Sequence, residues 1–166
     1  MYCSAVYASP VGKLTLCCHG DKLVGLWLEG QKYFGGSISG EMAPGEAPVL
    51  AQARGWLDRY FAGVRPDPLE LPLAPEGSEF RRTVWKLLLD IPCGQTATYG
   101  ALSRRVAEAL NRPSMSAQAV GNAVGHNPIS IIIPCHRLLG SDGSLTGYAG
   151  GIDKKRWLLE HEKGLP

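Results

Sequence analysis

The sequence predicts an α+β protein: a small N-terminal lobe with an antiparallel β-sheet, residues 1–75, and a helical C-terminal lobe, residues 76–166. Three observations predict it. Short, largely apolar runs of strand length fill the first 28 positions. Four prolines fall within "RPDPLELPLAPEG", residues 65–77, the best linker in the chain. Beyond them, apolar residues recur at helical spacing behind residues of capping type.

Tyr2, Ser4 and Val6 allow a first strand. "GKLTLCCHGDKLVGLWLEG" supplies two more, near 13–18 and 22–28, joined by a turn at Gly20-Asp21. Residues 35–48 are rich in Gly and Pro and read as a loop. Val49, Leu50, Ala53, Trp56, Leu57, Tyr60 and Phe61 then mark an amphipathic helix. In the second lobe, Ser78 caps a helix with Phe80, Val84, Leu87, Leu88 and Ile91 inward, ended by Pro92-Cys93-Gly94. Thr98 caps the next, with Leu102, Val106, Ala109 and Leu110 inward. Ser116 caps a third, from about 117 to 125, which Asn127-Pro128 stops. Asp153 caps the last, running through Trp157 and Leu158 to Gly164. Ile131, Ile132 and Ile133 read as a buried strand that Pro134 terminates.

Bulk properties exclude several classes. At 45% hydrophobic and 19% charged residues the chain is no disordered tail. No apolar run approaches the roughly 20 residues of a membrane helix. The opening "MYCSAVYASP" lacks a signal-peptide pattern. Five cysteines, an odd number, argue for free thiols and a cytoplasmic setting over a disulfide framework. Residues 1–75 hold 6 Lys/Arg against 7 Asp/Glu, and residues 76–166 hold 11 against 8, so only the second lobe leans toward an anionic partner.

Two features carry chemistry. The first is the helix pair near 98–110 and 116–125, a candidate helix-turn-helix. Its second helix, "SAQAVGNAVGH", is mostly Ala and Gly. A dressed helix is roughly 10–12 Å across and the DNA minor groove about 6 Å wide, so a helix stripped of bulk suits that groove. The small residues serve equally well for close packing on a neighbouring helix. The second feature is "NPISIIIPCHRLLG", residues 127–140, where Cys135, His136 and Arg137 follow a proline. A buried cysteine is often only a small hydrophobe. A thiolate is a nucleophile, and neighbouring positive charge favours it. Successive residues of extended chain point apart, so His136 would reach Cys135 through a water or after a turn, with a third group orienting the ring. Metal binding is disfavoured: Cys135-His136 is too tight a spacing, and Cys17-Cys18-His19 has no partner pair.

"IPCHRLLG", with "VGNAVGHNP" before it and "GSLTGYAGGIDKKRWLLEHE" after it, resembles the methylated-DNA–protein-cysteine methyltransferases, the O6-alkylguanine-DNA alkyltransferases. The likeness runs from about Phe80 to Glu162; the first 75 residues match more loosely, through "ASPVGKLTL". It implies a ribonuclease-H-like first lobe and a winged-helix-like second lobe. It also implies a single-turnover reaction without cofactor or metal, in which Cys135 takes the alkyl group from O6 of guanine, or O4 of thymine, in double-stranded DNA. The implied setting is cytoplasmic, with the nucleoid, and the protein a monomer in solution. The base must leave the stack, because a nucleophile cannot line up with O6 inside a duplex.

Residue by residue, the resemblance casts His136 as base through a water and Glu162 as its orienter. Asn127 ties the second recognition-motif helix to the active-site turn, and Tyr99 pushes the target phosphate. Tyr148 stacks on the extruded guanine, the Ala149 amide faces O6, and Leu138, Gly150 and Arg137 complete the pocket region, Arg137 in a structural part. Thr98, Ala117, Gln118 and Gly121 fall on the DNA-binding face, with Arg104, Arg105 and Arg112 as candidate phosphate contacts. Gln118 stands where relatives carry an intercalating arginine, so weaker phosphate attraction is expected. Two rivals remain: a lesion-binding protein of the alkyltransferase-like type, which lacks the cysteine, and a thiol hydrolase or redox protein, which would turn over.

Overall fold

The computed structural model describes residues 1–164. Strands β1 (Tyr2–Ser9), β2 (Gly12–His19) and β3 (Lys22–Leu28) form an antiparallel meander, and β4 (Met42–Pro44) pairs parallel with β1, giving the order β3-β2-β1-β4. The strand β4 lies inside the stretch expected to be loop throughout. Helix α1 (Pro48–Phe61) packs Val49, Leu50, Ala53, Trp56 and Leu57 against the sheet.

The proline-rich segment is no free tether. It contains a 3-10 turn at Pro68–Glu70, capped by Asp67. It then runs along the open edge of β3: Leu23 donates to Pro72 O at 2.9 Å and Ala74 donates to Leu23 O at 2.9 Å. Farther along the same edge, Leu26 donates to Pro128 O at 2.8 Å and Ser130 donates to Leu26 O at 2.9 Å. The edge of the N-terminal sheet thus holds the chain just before Cys135.

Helices α2 (Glu79–Leu88), α3 (Tyr99–Ala109) and α4 (Ala117–Gly125) begin at Ser78, Thr98 and Ser116, whose side chains accept from Arg81, Ala101 and Ala119 amides. Each satisfies one amide that the first turn leaves open. In α3 the buried alanine is Ala107, whereas Ala109, expected inward, is exposed. A two-residue parallel ladder, β5 (Ala97–Thr98) with β6 (Leu138–Leu139), ties the start of α3 to the residues after Cys135.

Two further expectations fail. Residues 131–133 form no strand. Ile132 donates to Ser130 O, Ile133 to Ile129 O and Cys135 to Ile133 O, and Ile131 has φ +71°. Three buried isoleucines report burial, not extended backbone; here the segment coils because its amides find local carbonyls. Nor does Asp153 cap α5 (Ile152–Lys163). The N-cap is Gly151, at φ +102°, a conformation glycine adopts without steric cost. The Asp153 side chain is solvent-exposed, 3.6 Å from Arg156. One continuous core spans sheet and helices, including Leu26, Leu57, Val84, Val106, Val120, Ile133 and Leu158.

Candidate active site

Cys135 opens a 3-10 turn, Cys135–Arg137, and is 5% exposed. The turn rotates successive side chains apart, and His136 points into the core at 0% exposure. His136 Nε2 lies 2.6 Å from Glu162 Oε2. An ionised carboxylate only accepts, so Nε2 carries the hydrogen; in the neutral ring Nδ1 keeps a lone pair. Nδ1 is buried and without a hydrogen-bond partner.

Glu162, 1% exposed, collects donors from the whole molecule. Besides His136, it accepts from Arg137 Nε at 2.8 Å, Arg137 Nη2 at 3.1 Å, Tyr60 hydroxyl at 2.6 Å and Gly94 amide at 3.4 Å. Burial alone would raise its pKa, but the hydrogen bonds from His136 and Arg137, with the Arg137 charge, outweigh it and hold the carboxyl well below its ordinary range. Burial lowers the His136 pKa, against the opposing pull of Glu162. The imidazole is therefore neutral, oriented, and able to take a proton at Nδ1. Arg137 also donates to Ile91 O at 2.6 Å, binding the turn to the end of α2.

Burial raises the Cys135 pKa, with the Asn127 side chain and the Lys155 charge pulling the other way. The resting group is a thiol, so a base must remove its proton, the part that the resemblance gives to His136. Asn127, buried directly after α4, donates from Nδ2 to Ile133 O at 2.8 Å and accepts from Ile129 N at 3.0 Å. It staples both ends of the irregular segment.

Cys135 opens into a cavity of about 500 Å³ whose wall includes Tyr99, Tyr148, Ala149, Gly121 and Thr146. The Tyr148 hydroxyl is buried and makes no hydrogen bond. A larger cavity, about 700 Å³, lies between residues 73–77 and α2 and is lined by no cysteine or histidine.

The sequence model described as "6-O-methylguanine DNA methyltransferase, DNA binding domain" matches residues 79–164. The one described as "6-O-methylguanine DNA methyltransferase, ribonuclease-like domain" matches residues 1–75. The chain belongs to this family. A methylated-DNA–protein-cysteine methyltransferase of Haemophilus influenzae is 41% identical over 164 residues, 95% of this chain and 84% of that protein. One from Mycobacterium tuberculosis is 44% identical over 155 residues, 93% of this chain and 88% of that protein. The crystal structure of Mycobacterium tuberculosis OGT in complex with DNA superposes with a TM-score of 0.82 at 40% identity, covering 98% of this chain and 92% of that one.

Within this methyltransferase fold the remaining expected residues separate. Tyr99, Tyr148 and Ala149 share the cavity wall with Cys135. Leu138 does not: it is fully buried and paired with Ala97, beneath the site. Arg137 likewise lies under the site, turned toward Glu162. Gly150 acts by absence of bulk, since a Cβ there would lie 2.9 Å from the Tyr148 ring and 3.2 Å from Leu28. Ala117 and Gln118 are exposed at the start of α4, and a Cβ on Gly121 would meet nothing within 4 Å. Arg104, Arg112 and Ala117 line one groove at the turn between α3 and α4. Arg105 is engaged elsewhere, 2.7 Å from Asp90. Thr98 is committed to its capping bond.

Three contributions escaped the sequence reading. Tyr60 reaches Glu162 from α1. Lys155 is fully buried on α5, donates to Thr146 O at 2.8 Å and Gly147 O at 3.5 Å, and stands 6.0 Å from the Tyr99 ring centre. The spacing 155, 158, 162 puts it on the buried face of α5, a signal available in the sequence. Lys32 and Tyr33, beyond β3, also line the cavity, and nothing in the sequence marks them.

Proposed function

We propose that this chain repairs alkylated DNA by moving one alkyl group from O6 of guanine to Cys135, once per molecule. The observation that carries the reading is the neutral, buried His136, held at Nε2 by Glu162 and unpartnered at Nδ1, next in sequence to a thiol that opens into a cavity of about 500 Å³, ample for a purine.

Through one water, Nδ1 takes the Cys135 proton; the thiolate attacks the alkyl carbon; the carbon–oxygen bond breaks as the carbon–sulfur bond forms. The base leaves with charge building on O6, where the Ala149 amide and a proton donor of the cavity wall stabilise it. Imidazolium, once formed, is balanced by Glu162. The Lys155 charge lowers the cost of the thiolate and, through Thr146 and Gly147, fixes the loop carrying Tyr148. Nothing returns the thioether to a thiol, which is why each molecule acts once.

The same reading has α4 enter the minor groove, Gln118 fill the gap left by the extruded base, and Arg104 and Arg112 face phosphates. It divides the chain near residue 75, puts it beside cellular DNA in the cytoplasm, and needs one copy per lesion and no cofactor. Cys135 weighs against the lesion-binding rival, and a thiol hydrolase or redox protein would turn over, where this reading has one event per chain.

The test is alkyl stoichiometry. Radiolabelled methyl from an O6-methylguanine duplex should end on the peptide bearing Cys135, at one per chain, and Cys135→Ala should bind the duplex without uptake. Uptake well above one lesion per chain, or uptake by Cys135→Ala, would refute the reading.

A further inference from the structure

We propose that Tyr33 and His126, stacked at the rim of the cavity, set the size of alkyl group that reaches Cys135; the inference rests on the function proposed above. The two rings lie 3.8 Å apart between centres and 20° from parallel. One comes from the loop after β3, the other from the end of α4, and both line the cavity that holds Cys135. The pair is therefore a wall built jointly by the sheet's loop and the recognition helix.

Both halves are fixed. Gln31, 6% exposed, accepts at Oε1 from Leu28 N at 2.8 Å and Ser130 Oγ at 3.2 Å. Lys32 donates to Ala149 O at 3.0 Å, and Gly36 donates to Tyr33 O at 2.9 Å. His126 is held through Nδ1, 2.7 Å from Asn122 O. Tyr33 has φ +61°, a left-handed backbone that a bulky residue keeps only when its surroundings demand it. Yet the residue is 54% exposed, so core burial does not demand it. Its stack on His126 and its place on the wall do.

A wall of this kind discriminates by volume. Each extra methylene in a tight pocket changes relative rates by about 10- to 200-fold. Tyr148 and Tyr99, on the rest of the wall, are backed by the core and cannot retreat. The Tyr33–His126 pair, exposed at Tyr33 and half-buried at His126, is the part whose removal enlarges the cavity without opening the core.

The experiment compares single-turnover transfer from duplexes carrying O6-methylguanine and O6-benzylguanine. Tyr33→Ala should raise the benzyl-to-methyl rate ratio about tenfold. His126→Ala should move it the same way, and Tyr33→Phe, which keeps the ring, should hold the parent ratio. A ratio within twofold of parent in both alanine variants, or equal loss of both rates, overturns the proposal. Thermal unfolding checks each variant; should Tyr33→Ala unfold, His126→Ala, which leaves the strained backbone alone, decides. If the parent itself transfers no methyl group, the proposed function fails instead.

Discussion

Glu162 shows how one buried charge is made tolerable. Taking a carboxylate out of water costs several kcal/mol, and here five hydrogen bonds offset it. Removing it strands the Arg137 guanidinium in the interior, so Glu162→Ala should lower stability by about 3–5 kcal/mol, read by denaturant unfolding. Within this buried pair both folded-state pKa values are depressed, that of His136 and that of Glu162. The unfolded chain then binds more protons than the folded one as pH falls. The pair's contribution to stability should be full above about pH 6.5, the unfolded histidine value, and decline below it, with a further loss below about pH 4.3 as unfolded Glu162 protonates. Unfolding midpoints measured from pH 8 to pH 4 check this, and His136→Gln should remove the upper step. These residues were unevenly visible in the sequence. Cys135 and His136 stood out as chemistry beside a proline. Glu162 gained meaning only from its place in a family pattern, and Tyr60 had none, because its partner lies 102 positions away.

At the scale of elements, the capped helices were legible and the irregular segment was not. Ser78, Thr98 and Ser116 announce their helices because a hydroxyl before an apolar repeat meets a local need. The coil at 129–134 answers to a distant need instead: β3 requires partners for its edge, and Asn127 requires Ile133 O within reach. Local pattern cannot express either demand. Likewise Gly151, not Asp153, begins α5, since the turn after Tyr148 demands a positive φ there. Helix α4 invites a direct test. On the proposed reading, in which α4 meets the DNA, Gln118 at its exposed start leaves phosphate neutralisation one charge short of an arginine-bearing helix. Gln118→Arg should tighten DNA binding at low salt and steepen the slope of log K against log salt by about 0.9 if the new charge meets one phosphate. Fluorescence anisotropy across a salt series measures that slope.

At the scale of the whole molecule, the site belongs to neither half of the chain. Tyr60 supplies one bond to Glu162, β3 holds Pro128 and Ser130, and Lys32 holds Ala149. Residues 76–166 made alone should therefore transfer methyl at least tenfold more slowly than the full chain, with a 1 Å displacement of the thiol enough to cause it. Adding residues 1–75 as a separate polypeptide should restore part of the rate, which a mixing experiment would read. The same arrangement bears on how the protein survives crowding. A bare outer strand invites a neighbour's backbone to zip onto it and seed aggregates. Here the proline-rich passage and the approach to Cys135 occupy that position on β3, so the molecule shields its own most adhesive margin with the segments its chemistry already needs.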